Sequence, residues 1–211
     1  MKRLVRFGFR LLYNELAWAY DGVAGCVSLG KWQAWGRTGL QHVRGARILE
    51  LAHGPGHLLL ALERSGYQPT GIDLSAAMGR QARHRLARAG RSVPLVRCRA
   101  QALPFRSACF DSAVATFPTE YIVSPATLSE AARVTRSDGR LVIVAAAKLG
   151  GPGPLPRLID KLYAVTGQAE PMPQGTESVF GQAGWAIRTE QDRVGNSTVL
   201  LVVAEKRGPP Q

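Results

Sequence analysis

The chain has 211 residues, of which 45% are hydrophobic and 20% are charged, and its net charge at pH 7 is +12. This length and composition fit one domain with an ample core. The three cysteines show no C-x-x-C spacing, which excludes a disulfide framework and fits reduced thiols in a cytoplasm.

Targeting and membrane-spanning segments are not expected. A membrane span needs about 20 apolar residues, and the longest apolar run, Leu141 to Ala147, is far shorter. Positive charges at Lys2, Arg3, Arg6 and Arg10 interrupt any signal-peptide core. We therefore expect a cytoplasmic protein.

Residues 1–45 are predicted to form an N-terminal helical region, with a helix over Arg3–Tyr20 and several aromatic side chains. Arg3, Arg6 and Arg10 fall on one face of this helix. That face predicts either weak contact with an anionic membrane surface or, the reading we prefer, the solvated side of a lid helix.

Residues 46–207 are predicted to alternate strands and helices. The strands are expected at Arg47–Leu51, Gln68–Asp73, Val93–Arg97, Ser112–Ala115, Arg140–Ala146, Ala186–Asp192 and Thr198–Glu205. The helices are expected at Gly56–Ser65, Ser75–Ala89, Pro125–Thr135, Leu155–Val165 and Glu177–Ala183. Because a hairpin turn, Gly195-Asn196-Ser197, separates the last two strands, the pattern predicts an α/β doubly wound, Rossmann-like sheet of seven strands with an antiparallel last strand.

A strand, a glycine turn, a helix and a second strand that ends on an acid form the most informative part of the chain. Glu50 lies on the first strand, Gly54 and Gly56 lie in the turn, and Asp73 ends the second strand. Glycines let the backbone approach a ligand, and an acid at such a strand tip accepts ribose hydroxyls. The third position of a dinucleotide fingerprint counted from Gly54 is the bulky Leu59, which argues against NAD or FAD. The pattern predicts a nucleoside-binding crevice.

The spacing of Glu50, Ala52, Gly54 and Gly56 resembles motif I of the class I S-adenosylmethionine-dependent methyltransferases. The resemblance continues through three later segments and is nearest to the small-molecule branch that includes quinone-biosynthesis enzymes. Those segments are Gln101-Ala102-Leu103-Pro104-Phe105, Phe110-Asp111-Ser112-Ala113-Val114 and Arg133 to Leu141. It covers roughly residues 46–147, with a weaker tail over residues 178–206.

This resemblance implies S-adenosylmethionine as the cofactor and assigns roles to single residues. Glu50 is expected to face the ammonium of the ligand, Asp73 its ribose, and Ala52, Gly54 and Gly56 its methionine portion. Further cofactor contacts are expected from His53, Leu74, Ala100, Gln101 and Phe117. Two departures from the family pattern stand out: Ala52 replaces the first glycine, which a negative φ would tolerate, and Arg99 replaces an acid that accepts from the adenine amino group.

Candidate catalytic residues follow the fourth strand or lie in the glycine turn. Glu120 and Tyr121 are candidates for a base or for orienting the substrate, although Glu120 is equally well explained as the start of a helix. His53 is a further candidate base, as is the neighbouring His57. No histidine, cysteine and carboxylate cluster has metal-ligand spacing, so no metal is expected.

Residues 148–176 are rich in glycine and proline at both ends and predict a substrate lid around the helix at Leu155–Val165.

We conclude from the sequence that the chain transfers a methyl group to a small apolar or aromatic acceptor. The alternatives are a nucleic-acid methyltransferase, suggested by the charge of +12, and a non-catalytic protein that binds adenosylmethionine. No nucleic-acid partner is expected, because the fourth strand lacks an Asn/Asp-Pro-Pro-aromatic motif.

Overall fold

The computed structural model describes residues 22, 24 and 25 and the ranges 28–150 and 175–206. The helices are α1 (Trp32–Arg37), α2 (His57–Arg64), α3 (Ala76–Arg88), α4 (Pro125–Val134) and α5 (Thr176–Gln182), with 3₁₀ turns at Thr38–Gln41 and Glu120–Val123. The strands are β1 (Arg47–Leu51), β2 (Gln68–Asp73), β3 (Leu95–Arg97), β4 (Phe110–Thr116), β5 (Thr135–Leu149), β6 (Trp185–Val194) and β7 (Ser197–Lys206).

The strands form one seven-stranded sheet in the order β3-β2-β1-β4-β5-β7-β6. Strands β1 to β5 pair in parallel, whereas β7 runs antiparallel to both β5 and β6. The predicted Rossmann-like architecture with a reversed last strand is confirmed. The predicted helices at Arg3–Tyr20 and Leu155–Val165, and with them most of both lid regions, lie outside the described residues.

Helices cover both faces of the sheet. Alternate residues of a strand point to opposite faces, and the apolar side chains on each face pack against helices. On one face, Ile48 packs with Leu58 and Leu62 of α2. On the other face, Leu49 packs with Leu128 of α4 and with Phe180 of α5. Such burial on both faces explains why the central strands are apolar runs.

Several element boundaries were predicted correctly from local sequence signals. The Ser75 side chain accepts a hydrogen bond from the Met78 amide at 3.2 Å and caps α3. Gly90 follows α3 with φ +66°, and residues 195 and 196 form the two-residue turn between β6 and β7.

Strand β5 begins earlier than the predicted Arg140, because residues 136–139 form a bulge opposite β4. The pairing of β4 with β5 shifts there from Phe110–Thr135 to Ser112–Arg140. A Cβ atom at Gly139 would lie 2.4 Å from the Asp111 carbonyl oxygen. The close backbone approach therefore requires glycine, and the strand includes residues that hydrophobic patterning alone excludes.

Gly79 lies inside α3, where glycine lowers helix stability, and a Cβ atom there would meet no atom within 4 Å. We expect Gly79→Ala to raise the free energy of unfolding by about 0.5–1 kcal/mol in urea titrations. Gly71→Ala is the matched control and should destabilise, because its Cβ atom would lie 2.7 Å from Leu59 Cδ1. A destabilised Gly79→Ala variant would contradict this view of α3.

Within the described ranges, none of the helices has the length and apolar character needed to cross a bilayer. Over the same residues, there is also no group of three or more histidine, cysteine, aspartate or glutamate side chains that could hold a metal ion.

Candidate active site

A cavity of about 430 Å³ opens where β1, β2 and β4 end, at the carboxyl edge of the sheet. Such a crevice is the usual ligand site of an open α/β sheet. We call it the main cavity. Its walls come from the turn after β1, the end of β2, the loop after β4 and helix α1. They comprise Trp32, Gln33, Gly36, Arg37, Glu50, Ala52, His53, Gly54, Pro55, His57, Leu58, Asp73, Leu74, Ser75, Arg97, Thr116, Phe117, Pro118, Thr119 and Tyr121.

The glycine turn, residues 52–56, has a left-handed backbone at three positions. The φ angles are +54° at Ala52, +53° at Gly54 and +82° at Gly56. Gly56 lies outside the lining of the main cavity, and its role is in packing: a Cβ atom there would lie 2.8 Å from the Ala82 Cβ atom of α3. The negative φ that would make alanine tolerable at residue 52 is not found, so Ala52 is strained where the family pattern has glycine.

We expect Ala52→Gly to stabilise the protein by about 0.5–1 kcal/mol. The left-handed conformation costs a non-glycine residue about 1–2 kcal/mol, and the greater freedom of glycine in the unfolded chain offsets part of the gain. Thermal unfolding measures the change in stability. Ala108 is a second alanine with a left-handed backbone, φ +53°, so Ala108→Gly is the comparison variant. A lower unfolding temperature for Ala52→Gly would show that the turn is not strained.

Asp73 fastens the glycine turn to the start of α3. Its Oδ2 atom accepts a hydrogen bond from the Gly54 amide at 2.9 Å, and its Oδ1 atom accepts one from the Ser75 amide at 2.7 Å. Each carboxylate oxygen has a second lone pair, so Asp73 keeps acceptor capacity toward the cavity. Two hydroxyl groups on neighbouring carbons are the donors that this arrangement suits.

Glu50 lies at the floor of the main cavity and is 1% exposed. Its Oε2 atom has no hydrogen-bond partner. Burial raises the pKa of this carboxyl well above its ordinary range, the negative charge of Asp73 raises it further, and the Leu59 amide opposes the shift. A buried acceptor without a partner is costly, so the site suits a ligand that brings a cation to this floor.

His53 is buried beneath the turn, with its ring against Gly71 of β2. A Cβ atom at Gly71 would lie 2.9 Å from the His53 Cδ2 atom, so glycine makes room for the ring. The His53 Nδ1 atom lies 2.7 Å from the Gly54 carbonyl oxygen, which can only accept, so Nδ1 carries the proton. Burial lowers the pKa of His53, and Asp73 opposes this shift. The ring is therefore neutral, with Nε2 able to accept a proton.

Two aromatic rings form the side of the main cavity away from Asp73, and we call Trp32 and Phe117 the aromatic wall. Their centroids are 4.1 Å apart, with 34° between the ring planes. Trp35, fully buried, meets the Phe117 ring edge-on at a centroid distance of 6.5 Å. Phe117 has a left-handed φ of +45°, and its amide donates to the Val144 carbonyl at 2.8 Å.

Some of the remaining candidate residues from the sequence line the main cavity, and others do not. Tyr121 lines the main cavity, and its hydroxyl donates to the Leu51 carbonyl at 3.3 Å. Leu74 lines the cavity and is 55% exposed. Glu120 is exposed and starts a 3₁₀ turn, whereas Ala100 is buried in the core. The residues predicted from the sequence that do not line the cavity are Glu120, Ala100, Gln101 and Gly56.

Two cavity arginines were not identified from the sequence. Arg97 ends β3 in register with Asp73, and its Nε atom donates to the Leu74 carbonyl at 3.0 Å. Arg37 ends the short helix α1. The position of Arg97 at the tip of a predicted parallel strand was an available signal, but Arg37 reaches the site only through the tertiary packing of α1.

Comparison with known proteins agrees with this geometry. Residues 48–139 match the methyltransferase domain family. A demethylmenaquinone methyltransferase of Symbiobacterium thermophilum is 32% identical over 238 aligned positions, which cover 94% of this chain and 92% of that protein. Its counterpart in Clavibacter sepedonicus is 35% identical over 136 residues, 63% of this chain and 55% of that protein.

The chain thus spans little more than half the length of the Clavibacter relative. Among solved structures, geranyl diphosphate C-methyltransferase from Streptomyces coelicolor A3(2) has the same fold, with a TM-score of 0.63 and 15% identity over 82% of this chain and 79% of that one. The match along nearly the whole length of the Symbiobacterium protein decides the family. The chain belongs to the class I S-adenosylmethionine-dependent methyltransferases, in their small-molecule branch, and is similar to the quinone-biosynthesis enzymes.

Proposed function

We propose that the chain transfers a methyl group from S-adenosylmethionine to a small apolar or aromatic acceptor. The observation that carries this proposal is the division of the main cavity into an acidic half, Glu50 and Asp73, and an aromatic half, Trp32 and Phe117. The demethylmenaquinone methyltransferases among the relatives support an aromatic acceptor ring.

The acidic half fits the cofactor. The unpartnered Oε2 atom of Glu50 suits the ammonium of the methionine portion, and the free lone pairs of Asp73 suit the two ribose hydroxyls. Leu74, His53 and the backbone of Ala52 and Gly54 would complete the contacts within the main cavity. The cofactor supplies a methyl group that its positive sulfur has already activated.

The protein then has to exclude water, hold the acceptor in line with the methyl group and accept a proton. Positioning alone can supply about 7–11 kcal/mol of the barrier. The stacked aromatic wall offers a flat, apolar surface for a ring. His53 is the preferred candidate base, because burial favours its neutral ring and the contact of Nδ1 with the Gly54 carbonyl oxygen leaves Nε2 as the acceptor atom. We propose that Tyr121 orients the acceptor. Glu120 does not line the main cavity, so we propose no role for it inside that cavity.

The predicted domain division forms part of this proposal. It consists of an N-terminal lid region, residues 1–45, and a methyltransferase domain, residues 46–207, with a lid insertion at 148–176. Helix α1 supports it, since Trp32, Gln33 and Arg37 of the N-terminal region line the main cavity. We further propose a cytoplasmic location, with the basic face of the predicted helix at Arg3–Tyr20 as the solvated side of a lid and weak contact with a membrane surface as the alternative.

The test is methyl transfer from S-adenosylmethionine to a water-soluble demethylated naphthoquinol, with the product identified by mass spectrometry. Structured RNA and duplex DNA serve as competing acceptors. Methylation of the quinol supports the proposal. Methylation of nucleic acid alone would favour the nucleic-acid alternative, and cofactor binding with no transfer to any acceptor would favour the non-catalytic one, for which strained Ala52 and exposed Arg99 are the best support.

We expect Trp32→Ala to lower kcat/KM for the acceptor about tenfold or more, because it removes both a half-buried ring that lines the cavity and its aromatic pairing with Phe117. Affinity for S-adenosylhomocysteine, the demethylated cofactor, should be unchanged in calorimetric titrations. Trp32→Phe is the matched control and should keep most of the activity. A parental kcat/KM in Trp32→Ala would remove the aromatic wall from the acceptor site.

A further inference from the structure

A second cavity, of about 270 Å³, lies between helix α3 and the edge strand β3. Three arginines line it, Arg80 and Arg83 from α3 and Arg97 from β3, and we call it the arginine pocket. It shares a wall with the main cavity, because four residues line both cavities: His53, Asp73, Ser75 and Arg97.

The arginine pocket opens along the edge strand β3, whose residues Leu95, Val96 and Arg97 all line it. Leu95 packs beside Leu59 and Leu86 on the α2–α3 face of the sheet. Val96 packs with Ala100 on the opposite face. Because strand residues alternate, Arg97 shares the face of Leu95. The pocket therefore adjoins the main cavity at Asp73 and Arg97, and its arginines on α3, Arg80 and Arg83, lie outside the main cavity.

The positive charge of this pocket is not neutralised by the described residues. Neither Arg80 nor Arg83 has a hydrogen bond or ion pair there, in contrast to Arg47, Arg133 and Arg188, each of which meets a carboxylate. Asp73 is the one carboxylate in the lining over the described residues. Its two oxygens already accept from the Gly54 and Ser75 amides. Three guanidinium groups around one carboxylate leave an excess of positive charge in the pocket lining, which suits an anion with several oxygens.

The floor of the arginine pocket is open where a helix would ordinarily carry a side chain. Gly79 lines it, and no atom lies within 4 Å of the position of a Cβ atom there. Glycine inside a helix lowers stability, and packing does not require it at this position. The glycine instead leaves space for a ligand to reach the helix backbone at residue 79, beside Arg80 and one turn before Arg83.

We propose that the arginine pocket binds a phosphate group, carried either by free phosphate or pyrophosphate or by the headgroup of a lipid. Guanidinium groups recognise phosphate oxygens in pairs, and the volume of the pocket exceeds that of one phosphate. The proposal does not depend on the identity of the methyl acceptor. The three arginines of the pocket contribute part of the net charge of +12.

The test uses the full chain and three probes: inorganic phosphate and pyrophosphate by calorimetry, and vesicles of phosphatidylcholine with or without phosphatidylglycerol by co-sedimentation. The variant is Arg80→Gln with Arg83→Gln. The matched control is Arg64→Gln with Arg88→Gln, which removes the same charge from exposed helix ends outside both cavities. Binding by the pocket variant should fall about 10- to 100-fold, and binding by the control should change little.

The responding probe identifies the source of the phosphate. Selective loss of phosphate or pyrophosphate binding supports a free ligand, and selective loss of vesicle binding alone supports a headgroup. Equal weakening in the variant and the control, or no binding of any probe to the parent, overturns the proposal. Gly79→Leu fills the floor without changing the charge and should also weaken the responding probe. Unchanged binding in that variant overturns the location.

Discussion

Glu50→Gln is expected to weaken the binding of S-adenosylhomocysteine about 10- to 100-fold, the scale of a hydrogen bond between charged groups. Adenosine, which has the ribose but no ammonium, should bind the variant as it binds the parent. The two ligands together isolate the contact that the unpartnered Oε2 atom of Glu50 offers. Equal weakening of both ligands in calorimetric titrations would show that Glu50 does not face the ammonium.

The same substitution is expected to stabilise the protein without ligand, because it removes a buried carboxyl whose charged form is poorly accommodated. The folded-state pKa of Glu50 is raised above its ordinary value of 4.5, so above that pH folding requires this carboxyl to take up a proton, which costs more free energy as pH increases. The advantage of Glu50→Gln should thus be absent below about pH 4.5 and should grow with pH up to the folded-state pKa, reaching about 1–3 kcal/mol.

Urea unfolding of the ligand-free protein from pH 4 to pH 8 measures this advantage, and Glu177→Gln, which changes an exposed glutamate in the same way, is the control. Lower stability of Glu50→Gln at neutral pH would contradict the buried, unpaired state of the carboxyl. A gain in stability together with a loss of binding is the pattern expected where a ligand-binding group is strained in the free protein.

Asp73→Asn is expected to weaken adenosine and S-adenosylhomocysteine alike, by about 100-fold or more. The amide replaces one acceptor oxygen by a donor, which affects both the ribose contact and one of the two backbone bonds that fasten the glycine turn. The free energy of unfolding should also fall, by about 1–3 kcal/mol.

Asp111→Asn is a matched control for the structural part of this effect. Asp111 also accepts from two backbone amides, those of Ala46 and Arg47, each at 2.9 Å, but it lies outside both cavities. Its asparagine variant should lose comparable stability and keep full affinity for adenosine. If Asp73→Asn loses stability but not adenosine binding, Asp73 is a structural residue of the turn and not a ribose ligand.

The sequence predicted the sheet well because strand boundaries are encoded locally. Strands β1 and β2 agree with prediction at both ends, since apolar runs, a glycine turn and an acid mark them. Strand β5 was predicted too short, because its first residues belong to a bulge that forms only against β4. Register between distant strands is a tertiary property and leaves no mark in the hydrophobic pattern.

The acidic half of the main cavity could likewise be predicted from the sequence, because Glu50 and Asp73 lie on one short segment with a fixed spacing. The left-handed φ of Ala52 was not, since the residue type favours the opposite sign. The pairing of Trp32 with Phe117 joins residues 85 positions apart, and only the packing of α1 on the sheet brings them together. Arg80 and Arg83 appear in the sequence as ordinary charges on a solvated helix face until β3 is seen beside them.

The position of β7 has a consequence for synthesis of the protein. This strand is translated after β5 and β6, yet it lies between them in the sheet and pairs with β5 over residues 197–205. During translation β5 therefore exposes a long apolar edge until the last strand has left the ribosome. A nascent chain halted before residue 197 should bind chaperones through that edge, and one extended well past residue 206 should not.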